Sequence, residues 1–169
     1  AVTCKRQGPE VAPFLAHLDL RLRSLPQRQA AARSSTVSAS LYNQRLADVE
    51  RLSARVVCVR GLNPGFFTGP GTNTYVVGTG PRRVLIDAGD SGVPGYVALV
   101  ARTLRDVCDG ARLASILITH AHPDHIGGAA AVAAACGAAD GVVYRKVPWS
   151  GHDAGLPITP VADGEVLRV

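Results

Sequence analysis

The sequence predicts an α/β domain in which helices pack on a mixed sheet, and three observations lead to that class. Short runs rich in β-branched residues recur between Arg55 and Val147. Two stretches lying between these runs suit helices, one of them with apolar residues at helical spacing. Glycine and proline crowd the connections, where they end elements.

Taken in order, "RVVCVRG" (Arg55–Gly61) reads as a strand because valine packs well on a pleated surface. "NPGFFTGPGTN" follows as a loop. "TYVVG" (Thr74–Gly78) and "RRVLIDAG" (Arg82–Gly89) read as strands joined at "TGP", a hairpin. From Val93 to Val107, apolar Val93, Val97, Val100, Ala101, Leu104 and Val107 mark one face of a helix. "ASILIT" (Ala114–Thr119) is a short apolar run, as expected of a strand covered on both faces. A helix is expected from Gly127 to about Cys136, ending at Gly137, and the alanine-rich stretch 129–139 reads as buried. "GVVYRKV" (Gly141–Val147) and "EVLRV" (Glu165–Val169) are further strands separated by a Pro/Gly-rich loop. The pattern breaks off at Val169 inside a strand-like run, and methionine is absent even at position 1, so a fragment or a processed chain is expected. No run approaches the roughly 18 apolar residues of a membrane span, and no membrane partner is expected.

The net charge of +5 is confined to one end. Residues 1–46 carry seven basic groups against two acids, whereas residues 47–169 carry eleven of each. The basic balance therefore belongs to the N-terminal segment and is not a footprint for nucleic acid on the domain. Residues 1–46 are rich in Arg, Ser, Ala and Gln, with Leu15, Leu18, Leu22 and Leu25 at helical spacing. That composition suits a targeting sequence for the mitochondrial matrix. The alternatives are a disordered extension on a cytoplasmic protein, or an artefact of a predicted reading frame. The domain proper is expected over 47–169. The four cysteines (Cys4, Cys58, Cys108, Cys136) are scattered without a C-x-x-C pair and read as free thiols in a reducing compartment.

The chemistry concentrates in "ITHAHPDHIGG" (Ile118–Gly128), which holds three of the five histidines. His120 and His122 are two apart, so on extended chain they project to the same side. Pro123 helps fix a turn that brings Asp124 and His125 round. Imidazole nitrogen with carboxylate oxygen suits zinc, and also iron or manganese. Four donors exceed what one catalytic zinc needs, so the set is better shared, with His120 and His122 on one ion and Asp124 and His125 on another. Two ions roughly 3.5–4 Å apart can activate water and clamp substrate oxygens, which implies hydrolysis. Asp87, ending "LIDAG", reads either as a strand-terminating turn residue or as a carboxylate that orients a metal-bound imidazole. The glycines of "GPGTNTYVVG" read either as turn residues or as residues that shape the mouth of the site. His17 and His152 carry no such pattern around them.

"THAHPDHIGG" resembles the H-x-H-x-D-H motif of the metallo-β-lactamase fold. "VERLSARVVCVRGLNPG" (Val49–Gly65) and "GTNTYVVGTGPRRVLIDAG" (Gly71–Gly89) are similar to the beta-lactamase-like protein 2 family, mitochondrial endoribonucleases acting on single-stranded RNA. They are also similar to related fungal thioesterases associated with polyketide synthesis. The likeness covers roughly Val49–Val169. It implies an αββα sandwich, present here as its N-terminal half, with two zinc ions between the sheets of the complete domain. His120 and His122 would ligate the first ion. Asp124 and His125 would ligate the second, with Asp124 steering the attacking water and Asp87 supporting the site from behind.

Two departures stand out. The family's later histidine, bridging aspartate and final histidine have no counterpart at a matching position in 1–169, and the glutamine that relatives commonly carry before Gly-Thr-Asn is missing. The 169-residue chain is therefore expected to bind zinc weakly and to show no turnover. The function implied for the complete domain is metal-dependent cleavage of single-stranded RNA. The alternatives are a thioester or lactone hydrolase on the same metal site, and a truncated chain without catalysis.

Overall fold

The computed structural model describes residues 2–3, 45–147 and 153–168. The amphipathic leucine stretch, His17, His152 and Cys4 lie outside the described residues.

Seven strands form one sheet in sequence order: β2 (Val49–Ser53), β3 (Val56–Arg60), β4 (Asn73–Val77), β5 (Arg82–Ile86), β6 (Arg112–Ile118), β7 (Val143–Lys146) and β8 (Ile158–Pro160). The first four pair antiparallel, and β5 through β8 pair parallel. The switch follows from the connections. A tight turn joins β4 to β5, whereas parallel neighbours need a crossover. Helix α1 (Pro94–Asp106) supplies the crossover from β5 to β6, and α2 (Pro123–Ile126) with α3 (Ala129–Cys136) that from β6 to β7. A separate pair joins β1 (Val2–Thr3) antiparallel to β9 (Val166–Leu167).

Alternation along each strand sorts the apolar side chains onto two faces. Leu85, Ile116 and Ile118 join the core under α1 and α3, while Val84, Ile86 and Leu117 join a smaller cluster on the opposite face with Val161 and Leu167. The helix layer and sheet are the half-sandwich expected of the sequence. Leu85, Leu113 and Ile116 are fully buried, each contributing about 1.5–3 kcal/mol. These strands fix where their carboxyl ends lie. Since β5 and β6 run parallel and adjacent, Asp87 and the histidine stretch emerge side by side at one sheet edge.

The expected strands and the first helix appear with ends shifted by a few residues. Four features differ. β2 pairs at the sheet margin, and its polar sequence VERLS hides it because most of it faces solvent. β8 includes Pro160, tolerable because no further strand pairs beyond it. The turn at Pro123 is a short helix, α2, so the next helix starts at Ala129 and not at Gly127. That helix is buried on one face only. Ala129, Val132 and Cys136 are covered, whereas Ala130, Ala131, Ala134 and Ala135 are exposed. Alanine's small methyl and high helix propensity make that exposure cheap. Among the described residues no helix is long and apolar enough to cross a membrane.

Candidate metal centre

The edge above β5 and β6 is held together first by backbone. Asp87 N–H donates to Leu117 O (2.9 Å), Ala88 N–H to His125 O (2.7 Å) and Gly128 N–H to Gly89 O (2.9 Å). The paired glycines of the motif follow from this close approach. A Cβ on Gly128 would lie 2.2 Å from Ala88 O, and one on Gly127 would lie 2.4 Å from Pro123 O. Neither neighbour can yield, since both atoms are backbone.

Asp87 stands at the centre of the wiring. It is buried at 5 % exposure and holds the left-handed backbone conformation (φ 58°) that aspartate tolerates better than most residues. Its carboxylate accepts from Thr119 N–H (2.8 Å), from the Thr119 hydroxyl (2.9 Å) and from His125 Nδ1 (2.8 Å). A carboxylate accepts only, so His125 carries its proton on Nδ1 and turns Nε2 outward. Thr119 has one proton and gives it to Asp87. The contact between Thr119 Oγ1 and His120 Nδ1 (2.9 Å) must then be a bond donated by His120. Both rings thereby present Nε2, the lone pair a metal takes.

The rings lie close. The His120 centroid is 4.0 Å from that of His125 and 4.5 Å from that of His122. Burial, and then the neighbouring His125 and His122, push the His120 imidazole below its ordinary pKa. A neutral ring keeps its lone pair for a cation. For His125, burial works downward, but the Asp87 hydrogen bond and the charges of Asp87 and Asp124 outweigh it and raise the pKa. Asp124 Oδ2 lies 3.3 Å from His125 Nε2 and accepts the Thr72 hydroxyl at 2.6 Å.

The structure therefore brings His120, His122, Asp124, His125 and Asp87 to one place. The donor chemistry fits a divalent cation such as zinc. Yet no three His, Cys, Asp or Glu donors among the described residues already close on a common point, so metal binding would have to draw them in. Thr119 and Thr72 were not singled out from the sequence. Thr119 sits inside the motif, but only the bonds to Asp87 and His120 reveal its role. Thr72 is linked to Asp124 across 52 positions, a contact no local pattern signals. The loop Gly61–Thr72, which ends at Thr72 against Asp124, carries Phe66 and Phe67 at 85 % and 96 % exposure, edge to face.

Residues 67–166 match the model of the metallo-beta-lactamase superfamily. An atrochrysone carboxyl ACP thioesterase from Cryptosporiopsis sp. is 40% identical over 73% of this chain and 36% of its own length. A beta-lactamase-like protein 2 homolog of Drosophila melanogaster is 46% identical over 47% of this chain and 27% of its own. The chain thus spans little more than a third of the first relative and about a quarter of the second. The metallo-β-lactamase SMB-1 superposes with a TM-score of 0.50 at 18% identity, covering 72% of this chain and 49% of that one, a likeness of fold alone. With the family model matching more than half of its residues, this chain belongs to the metallo-β-lactamase superfamily.

Proposed function

We propose that the intact gene product is a zinc-dependent hydrolase and that its substrate is an acyl thioester on a carrier protein. The observation that carries the hydrolase reading is the wiring of Asp87, which leaves the Nε2 lone pairs of both His120 and His125 free of a proton, that of His125 3.3 Å from Asp124 Oδ2. His120 and His122 would hold one zinc, and Asp124 and His125 a second. Bound zinc supplies a water made acidic enough to attack at neutral pH and a Lewis acid for the substrate oxygen. Asp87 keeps the imidazoles in the tautomer that can ligate. Asp124 has one oxygen engaged by Thr72 and would orient the water with the other. In the reaction the water oxygen bonds to the acyl carbon, the C–S bond breaks, and the thiol leaves with a proton.

The choice of a thioester rests on the similarity to the carrier-protein thioesterase, which extends over more of this chain than that to the Drosophila relative. Charge supports it, since residues 47–169 carry no excess of cations with which to grip a phosphate backbone. This reverses the order that the sequence resemblance suggested, in which RNA cleavage came first. Cleavage of single-stranded RNA is the second reading, favoured by the higher identity of the shorter match. Phe66 and Phe67 do not choose between the two, because exposed rings serve an acyl chain or a base equally well.

The test is turnover by the zinc-loaded intact gene product of an acyl thioester of a pantetheine mimic, set against a single-stranded RNA. Thioester hydrolysis that a chelator abolishes, with the RNA left intact, is the expected result. RNA cleavage without thioester hydrolysis selects the second reading, and no turnover of either rejects both.

A further inference from the structure

We propose that Thr72 and Asn63 are positioning residues that set the orientation of the Asp124 carboxylate for a metal ion. This rests on the metal-dependent reading above. Thr72 is buried at 6 % exposure, and its hydroxyl donates to Asp124 Oδ2 at 2.6 Å. That hydroxyl is itself held. Asn63 Nδ2 donates to Thr72 Oγ1 at 3.1 Å, and Asn63 Oδ1 accepts the Thr72 backbone N–H at 2.9 Å. The backbone donor fixes which end of the Asn63 amide is oxygen, so the NH2 end must face the hydroxyl. With one hydrogen bond arriving from Asn63, the only proton on Thr72 Oγ1 is committed to Asp124.

The loop neck is shaped for this amide. Gly61 N–H donates to Thr72 O at 2.7 Å. A Cβ on Gly61 would meet Asn63 Oδ1 at 2.7 Å, so the residue there must lack a side chain for the amide to sit where it does. A carboxylate otherwise rotates about its Cβ–Cγ bond. A proton fixed on one oxygen stops that rotation and determines where the other oxygen points. Because threonine is neutral, it does so while leaving the negative charge available to a cation.

The experiment is a cobalt titration of the intact gene product, followed by the visible absorption of the bound ion and by thermal unfolding. Thr72→Val keeps the shape and removes the hydroxyl. Thr72→Ser restores the hydroxyl. Asn63→Asp keeps the acceptor for the backbone N–H but competes for the Thr72 proton. The proposal expects Thr72→Val and Asn63→Asp each to weaken cobalt binding by about ten- to a hundredfold, the range for groups that hold a ligand from behind. It also expects a changed cobalt spectrum in both and near wild-type behaviour in Thr72→Ser. Should Thr72→Val fail to fold, Asn63→Asp carries the test with Thr72→Ser as its control. Cobalt binding and a spectrum unchanged in the folded variants would overturn the positioning role while leaving the metal reading intact. A wild-type chain that takes up no cobalt overturns both.

Discussion

The turn Thr119–Gly128 and the loop Gly61–Thr72 meet at Asp124, and they are built differently. The turn has no slack. Its glycines lie against the backbone of Ala88 and Pro123, and its side chains are wired to a buried carboxylate. The loop is tied at its neck by Asn63 and Thr72, while Phe66 and Phe67 at its tip stand in solvent. The contrast separates two jobs. Donor atoms come from the part tied to the sheet end by backbone and side-chain hydrogen bonds, and the part facing solvent contributes surface. One hydroxyl joins the two.

The contrast breaks most severely with Gly128→Ala. The new methyl carbon would sit 2.2 Å from Ala88 O, and a loss of about 4 kcal/mol or more is expected in urea unfolding, at the extreme for single changes. In the loop, Gly69→Ala meets nothing within 4 Å and suffers only its left-handed φ of 58°, a cost of about 1–2 kcal/mol. Equal losses at the two glycines would erase the distinction.

Asp87→Ala comes next. It strips a buried acceptor from Thr119 and His125, and a loss of about 2–4 kcal/mol is expected by the same measurement. Asp87→Asn, which tolerates the left-handed backbone, should lose less.

Thiol labelling sharpens the comparison. Burial raises the thiol pKa of Cys58, Cys108 and Cys136 above the ordinary 9.0. The unfolded chain then gives up these protons first, so stability should fall as pH rises through about 9 and beyond. Native labelling by a maleimide should be slow at all three. Gly128→Ala should speed it at Cys136, which ends the helix after the turn, whereas changes at the loop tip should not.

The smallest effect is expected at that tip. Phe66→Ser with Phe67→Ser should change stability by no more than about 0.5 kcal/mol each. In the intact gene product the pair should raise KM for an acyl thioester with little change in kcat. A large stability loss would mean the rings pack where they are now solvent-exposed.

The four donors were legible because they fall within six residues, and chemistry written in one short stretch survives without a fold. Asp87 was legible as a candidate because it ends a strong strand pattern. The roles of Thr119, Thr72 and Asn63 were not legible, since each depends on a proton's direction or on a contact across the chain. The same logic divides the fold. The apolar strands β3 to β7 announced themselves, while β2 and β8 are held by pairing at the sheet margins and carry polar or proline-containing sequence that says little. The pairing of Val2–Thr3 with Val166–Leu167 joins opposite ends of the chain, and no local signal can predict it.

Zinc uptake by the intact gene product, measured by equilibrium dialysis, bears most directly on the central claim that this sheet edge exists to hold cations. Bound zinc that is lost when His120→Ala and His122→Ala are combined, with the protein still folded, is the predicted result. No zinc on the unaltered protein, or zinc retained in full by the double variant, would contradict it.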